Sequence, residues 1–105
     1  MKATQDSQSP EKALHAQIRE FCRARKWLYF TGSMAHRSRR TLGEPDFTIL
    51  APNGQVLFVE CKTLTGKLSQ EQIQIQREAD RLGHCIHIVR SLDDFTVLLV
   101  SLELH

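Results

Sequence analysis

Asp46, Glu60 and Lys62 are the residues whose types and spacing could do chemistry in this chain. Asp46 follows Pro45 at the start of the apolar run DFTILA, and thirteen residues separate it from Glu60 in QVLFVECK. Side chains alternate along a strand, so Val56, Phe58, Glu60 and Lys62 share one face while Leu57, Val59 and Cys61 share the other. If the two runs pair as a hairpin, the start of the first lies beside the end of the second, and Asp46 approaches Glu60 across the ladder. Two converging carboxylates repel unless a cation sits between them. Oxygen ligands completed by water suit Mg²⁺ or Mn²⁺. A lysine beside such an ion can orient or deprotonate a water and stabilise charge developing on phosphorus. The competing reading is a surface salt bridge between Glu60 and Lys62, because E-x-K is a common pattern.

The elements that must position these residues follow from punctuation and periodicity. Residues 1–8 read as a disordered tail, and 9–105 as a single domain. Ser9-Pro10-Glu11 supplies a cap, a proline in the first turn and an acid at the positive end of a helix running to about Arg25. Glu11, Leu14, Ile18 and Phe21 form its inward stripe. WLYFT, residues 27–31, reads as a strand, and residues 32–45 as a loop. Pro52-Asn53-Gly54 turns the Asp46–Ala51 strand into the Gln55–Lys62 strand as an antiparallel hairpin. Ser69 caps a helix closed by Gly83, with Leu68, Ile75, Ala79 and Leu82 on its buried stripe. CIHIVR is a fourth strand, and Ser91 caps a last helix with Leu92, Phe95, Leu98, Leu99 and Leu102 on one face. A strand over Thr96–Val100 competes with that helix. The order α-β-β-β-α-β-α predicts an α/β fold with a mixed sheet flanked by helices, the third strand central because it is apolar on both faces.

Three further features bear on function. Gln72 interrupts the apolar stripe of its helix and so faces inward, although Ser69-x-x-Gln72 also has capping-box spacing. Glu11 points to the core side or simply complements the helix dipole. Arg37, Arg39 and Arg40 lie in a loop rich in Gly, Ser and Thr just before Asp46, which suits phosphate contacts or a solvated basic surface. Lys67 offers the same choice, and His36 is a weaker candidate for substrate contact. Residues 1–45 hold nine Lys/Arg against four Asp/Glu, whereas 46–105 hold five against eight, so the net charge of +2 conceals a basic N-terminal half.

At 105 residues the chain has room for one modest core, and its hydrophobic fraction of 41% is ordinary. No apolar run reaches the ~20 residues of a membrane span. The polar MKATQDSQSPEK start lacks a signal-peptide core. Cys22, Cys61 and Cys85 have no metal-knuckle spacing, and free thiols in a reducing cytoplasm are expected. The five histidines show no metal-ligand spacing either.

Pro45-Asp46 followed by Glu60-Cys61-Lys62 resembles the PD-(D/E)xK nuclease signature. With Gly43 ahead of it and G-K-L-S-x-x-Q at residues 66–72 opening a helix, the pattern resembles the VRR-Nuc family over residues 9–100. The resemblance implies a restriction-endonuclease-like α-β-β-β-α-β core. It implies Asp46, Glu60, Glu11 and the backbone carbonyl of Cys61 as ligands of Mg²⁺ or Mn²⁺. Asp46, Glu60, Lys62 and Gln72 would form the catalytic set, with Arg37, Arg39, Arg40 and Lys67 on nucleic acid. It further implies a stand-alone, homodimeric DNA endonuclease of Holliday-junction-resolvase type, in the cytoplasm, or the host's if phage-encoded. A nuclease on ordinary duplex and a catalytically silent nucleic-acid-binding module are the alternatives. Glu44 departs from the family pattern, which has a small or apolar residue before Pro-Asp. It places an extra carboxylate near the site.

Overall fold

The computed structural model describes residues 9–32 and 41–104. The expected tail over residues 1–8, Arg37, Arg39, Arg40 and His36 lie outside the described residues. The elements run α1 (Pro10–Arg25), β1 (Leu28–Thr31), β2 (Phe47–Leu50), β3 (Val56–Cys61), α2 (Gln70–Arg81), β4 (Ile86–Val89) and α3 (Leu92–Ser101). This is a mixed α/β architecture with a sheet flanked by helices, as the periodicity predicts.

Each helix starts where a serine hydroxyl takes over an orphan amide. The Ser9 hydroxyl accepts from the Lys12 amide, that of Ser69 from Gln72, and that of Ser91 from Asp94. The cap at Ser91 continues into a helix, so Thr96–Val100 is helical despite its β-rich composition. Phe95 and Leu99 then fall one turn apart on the buried face. α1 stops at Lys26, whose left-handed φ of 61° turns the chain toward β1.

The strand order is β1-β2-β3-β4, with β1–β2 and β2–β3 antiparallel and β3–β4 parallel. β3 is therefore central. The hairpin joining β2 to β3 turns through a short 3-10 turn at Pro52–Gly54, with Asn53 and Gly54 at φ 64° and 73°. Phe47 opposes Val59, so one step outward Asp46 faces Glu60. The backbone amide of Lys62 donates to the carbonyl of Val89 at 3.0 Å, which carries the β3–β4 pairing past the strand end.

The core lies on one face of the sheet. Phe47, Ile49, Leu57, Val59, Cys61 and Val89 meet Leu14, Ile18 and Cys22 of α1 and Phe95 and Leu99 of α3, all of them buried. Burial of side chains this size supplies most of the folding free energy, at roughly 1.5–3 kcal/mol each before entropy is counted. The opposite face is only partly covered. There β3 is not closed by apolar packing as expected, since Val56 is 47% exposed and Phe58 half-buried.

α2 corrects a second expectation. None of its residues is fully buried, and Leu82 is 62% exposed. Ile75 and Ala79 instead form, with Pro45, Phe58 and Ile86, an open apolar cleft along the outer sheet face. The stripe is amphipathic as the sequence suggests, but among the described residues only the half-open sheet lies against it. Among the described residues, no helix is long and apolar enough to cross a membrane.

Candidate active site

The site forms where β2 begins and β3 ends, with α1 on the core side and the N-terminus of α2 on the other. Glu60 is 3% exposed, the one buried charged residue among those described. Its Oε2 accepts from Gln72 Nε2 at 2.5 Å, while its Oε1 is buried without a hydrogen-bond partner. Burial is the first cause that pushes the Glu60 carboxyl up to about 8, followed by the charge of Asp46. Lys62 opposes the rise, while Glu11 and a hydrogen bond shared with Asp46 add to it. Four of the residues singled out from sequence are thus within electrostatic reach of one another.

Asp46 is held from the backbone. Its Oδ2 accepts from the Cys61 amide at 2.8 Å, a bond that ties the start of β2 to the end of β3. His15 Nε2 lies 3.3 Å from the same oxygen, with the imidazole packed edge-on to Phe47 at 5.3 Å. His15 was not legible as a site residue from histidine spacing. The signal lay elsewhere: it is four residues after Glu11, on the same face of α1.

Gln72 satisfies both readings at once. Its Oε1 accepts from the Ser69 amide at 2.8 Å and its own amide donates to the Ser69 hydroxyl at 3.1 Å, a complete capping box. The remaining Nε2 is free to reach Glu60. The helix cap therefore fixes the amide orientation that serves the carboxylate.

The loop between Lys62 and α2 is secured by Arg90, which follows β4. Arg90 Nη1 donates to the carbonyls of Thr63 at 2.6 Å, Gly66 at 2.8 Å and Leu64 at 3.4 Å. An arginine at a strand end reads as a solvated charge, so this role has no sequence signal. The aliphatic stem of Lys62 passes over Gly66 within this loop.

Gly43 fastens the opposite wall. Its φ is +85°, and a Cβ there would lie 2.5 Å from the carbonyl carbon and oxygen of Glu71 and 2.8 Å from the amide of Gln72. Only glycine allows the loop before Asp46 to rest on the first turn of α2. A cleft of about 250 Å³ results, lined by Gly43, Asp46, Ser69 and Gln72, with Glu44 at its edge. Lys67 is exposed nearby in sequence, on the loop ahead of Ser69.

The donor set fits a hard divalent cation. Asp46 and Glu11 both act electrostatically on Glu60, and the buried Glu60 Oε1 has no hydrogen-bond partner among the described residues. A cation such as Mg²⁺ or Mn²⁺ would satisfy that oxygen and offset both the burial and the repulsion that raise the Glu60 pKa.

Comparison with known proteins defines the fold first. The chain carries the fold of a VRR_NUC domain: it superposes on a solved structure so described with a TM-score of 0.72, covering 88% of this chain and 96% of that one at 24% identity. A curated relative is "Putative nuclease p44" of Acyrthosiphon pisum secondary endosymbiont phage 1, 34% identical over 56 residues. That match spans 53% of this chain and 60% of the relative's length. No family model matches the chain.

Proposed function

We propose that the protein is a metal-dependent DNA endonuclease that hydrolyses phosphodiester bonds. The observation that carries this reading is the buried, half-satisfied Glu60 facing Asp46 across the hairpin, with Lys62 two residues on and Gln72 bonded to it. The VRR_NUC fold and the printed name of the phage relative support the same class.

Asp46, Glu60, Glu11 and the Cys61 carbonyl would hold Mg²⁺ or Mn²⁺. When bound, such an ion lowers the pKa of water and neutralises charge on the phosphoryl oxygens. Every other part is supplied by the chain. The Cys61 amide holds one oxygen of Asp46 in place. Gln72 fixes the plane of the Glu60 carboxylate from a capped helix start. Lys62, on the same strand face as Glu60, orients or deprotonates the attacking water and stabilises the charge that develops. In-line attack would leave a 3′-hydroxyl and a 5′-phosphate. Lys67 and the Arg37, Arg39 and Arg40 loop would contact flanking phosphates.

The preferred substrate is branched DNA, cut by a homodimer that offers one site to each of two strands, in the cytoplasm of the cell or host. A second copy is favoured by the outer sheet face, where Leu28 and Phe30 are each 56% exposed beside Leu50 and Val56. Cleavage of a four-way junction, a flap and a linear duplex of matched sequence, with Mg²⁺ or Mn²⁺ and an Asp46→Asn control, tests the reading. Metal-dependent cutting of the junction ahead of the duplex is expected. Equal cutting of all three would replace branch selectivity by a duplex nuclease. Salt-sensitive binding without cutting under either metal would leave only a binding module.

A further inference from the structure

On the core side of Asp46, a second donor set has a different chemical character. A ring nitrogen of His15, a carboxylate oxygen of Asp46 and Cys61 Sγ all lie within 4.8 Å of one another. The His15 nitrogen stands 3.3 Å from the Asp46 oxygen, yet it is buried and makes no hydrogen bond. Two ligands about 2.0 Å from one tetrahedral ion are themselves roughly 3.3 Å apart, so this is a chelating separation. The third donor is a thiol rather than an oxygen, because Cys61 points to the opposite face of β3 from Glu60.

We propose that His15, Asp46 and Cys61 form a site for a borderline transition-metal cation, Zn²⁺ or Co²⁺, that shares Asp46 with the all-oxygen set on the other face. Nitrogen, oxygen and sulfur together select such ions over Mg²⁺, which takes oxygen ligands and keeps its waters. α1 supplies the imidazole, the start of β2 the carboxylate and the end of β3 the thiol, so three elements of the core converge on the site. The His15 and Asp46 side chains retain 26% and 18% exposure, while His15 Nε2 and Cys61 are buried, so an ion enters past the imidazole and carboxylate. The fourth position of a tetrahedral ion would face that opening and take water. Binding proceeds by loss of the Cys61 thiol proton to solvent as the metal–sulfur bond forms, with neutral His15 donating its lone pair. Since Asp46 belongs to both sets, an ion here draws that carboxylate away from the outer face. Zn²⁺ would then oppose Mg²⁺-supported activity.

The experiment is a titration of metal-stripped, reduced protein with Co²⁺, read by the near-ultraviolet sulfur-to-cobalt charge-transfer band. This readout needs no catalytic activity and stands or falls apart from the nuclease reading. A band in the wild type that survives Cys85→Ala, disappears in Cys61→Ala and requires at least about tenfold more Co²⁺ in His15→Gln is expected. Circular dichroism verifies that each variant is folded, and His15, outside the fully buried core, provides the variant that disturbs packing least. No band in the wild type overturns the proposal. So does a band that follows Cys85, whose exposed sulfur lies 3.6 Å from His87 Nδ1, or one unaffected by His15→Gln.

Discussion

Gly43→Ala separates the contribution of one close backbone approach from the ordinary cost of a positive φ. Gly43, Gly54 and Gly83 have φ of +85°, +73° and +85°, so alanine at any of them costs about 1 kcal/mol in backbone strain. At Gly54 and Gly83 an added Cβ meets nothing within 4 Å. At Gly43 it would sit 2.5 Å from backbone atoms of Glu71, where ordinary contact is about 3.5–4.0 Å. The loop must therefore withdraw by about 1 Å, because the first turn of α2 is locked by its capping box. Overpacking of this kind costs roughly 1–3 kcal/mol beyond the strain. Each kcal/mol lowers the melting temperature of a chain this long by about 4 °C. Thermal unfolding followed by circular dichroism should place Gly43→Ala roughly 4–12 °C below both Gly54→Ala and Gly83→Ala. Its cleavage rate should also fall more than theirs, since the displaced contact borders Gln72. Equal melting temperatures and rates for all three variants would refute the idea that the loop ahead of Asp46 is seated on α2.

Further outcomes follow from the same geometry. Glu60 has its pKa raised from 4.5 to about 8, so the metal-free fold holds a proton that the unfolded chain releases earlier. Stability from this group is complete below pH 4.5 and lost by the time the pH passes about 8, a decline of a few kcal/mol that Glu60→Gln should flatten in urea melts. At pH 7, Mg²⁺ or Mn²⁺ binding should release close to one proton, visible as a buffer-dependent heat in titration calorimetry. Arg90→Ala removes the donor to the Gly66 carbonyl and leaves the Thr63 carbonyl with only the Gly66 amide, and should cost about 1–3 kcal/mol, with faster hydrogen exchange across residues 63–69. Gln72→Leu should lose both the box and the Glu60 bond, whereas Gln72→Glu should keep the box and set a second carboxylate against Glu60. Metal-free stability of Gln72→Glu should then fall more steeply with pH than that of the wild type.

Local signals carried much of this fold. Ser9, Ser69 and Ser91 marked three helix starts, and Pro-Asn-Gly between two apolar runs marked the hairpin that brings Asp46 opposite Glu60. What escaped depends on neighbours that are distant in the chain. Arg90 acts on Thr63, 27 residues away, through carbonyls that no side-chain pattern reveals. The α2 stripe was legible as amphipathic but not as exposed, because periodicity shows which residues share a face and not how much covers it. His15 was overlooked among histidines without metal spacing, though its place one turn after Glu11 put it beside Asp46.

Joint action of Lys62 and the paired carboxylates on a phosphodiester is tested most directly by one comparison. Single-turnover cleavage of a labelled four-way junction by wild type and Lys62→Ala should be measured at saturating Mg²⁺, with metal binding and folding verified for both. Loss of a positioned acid–base group of this kind should slow cleavage by about 10²–10⁴-fold while the metal still binds. Cleavage by Lys62→Ala at the wild-type rate would contradict the account.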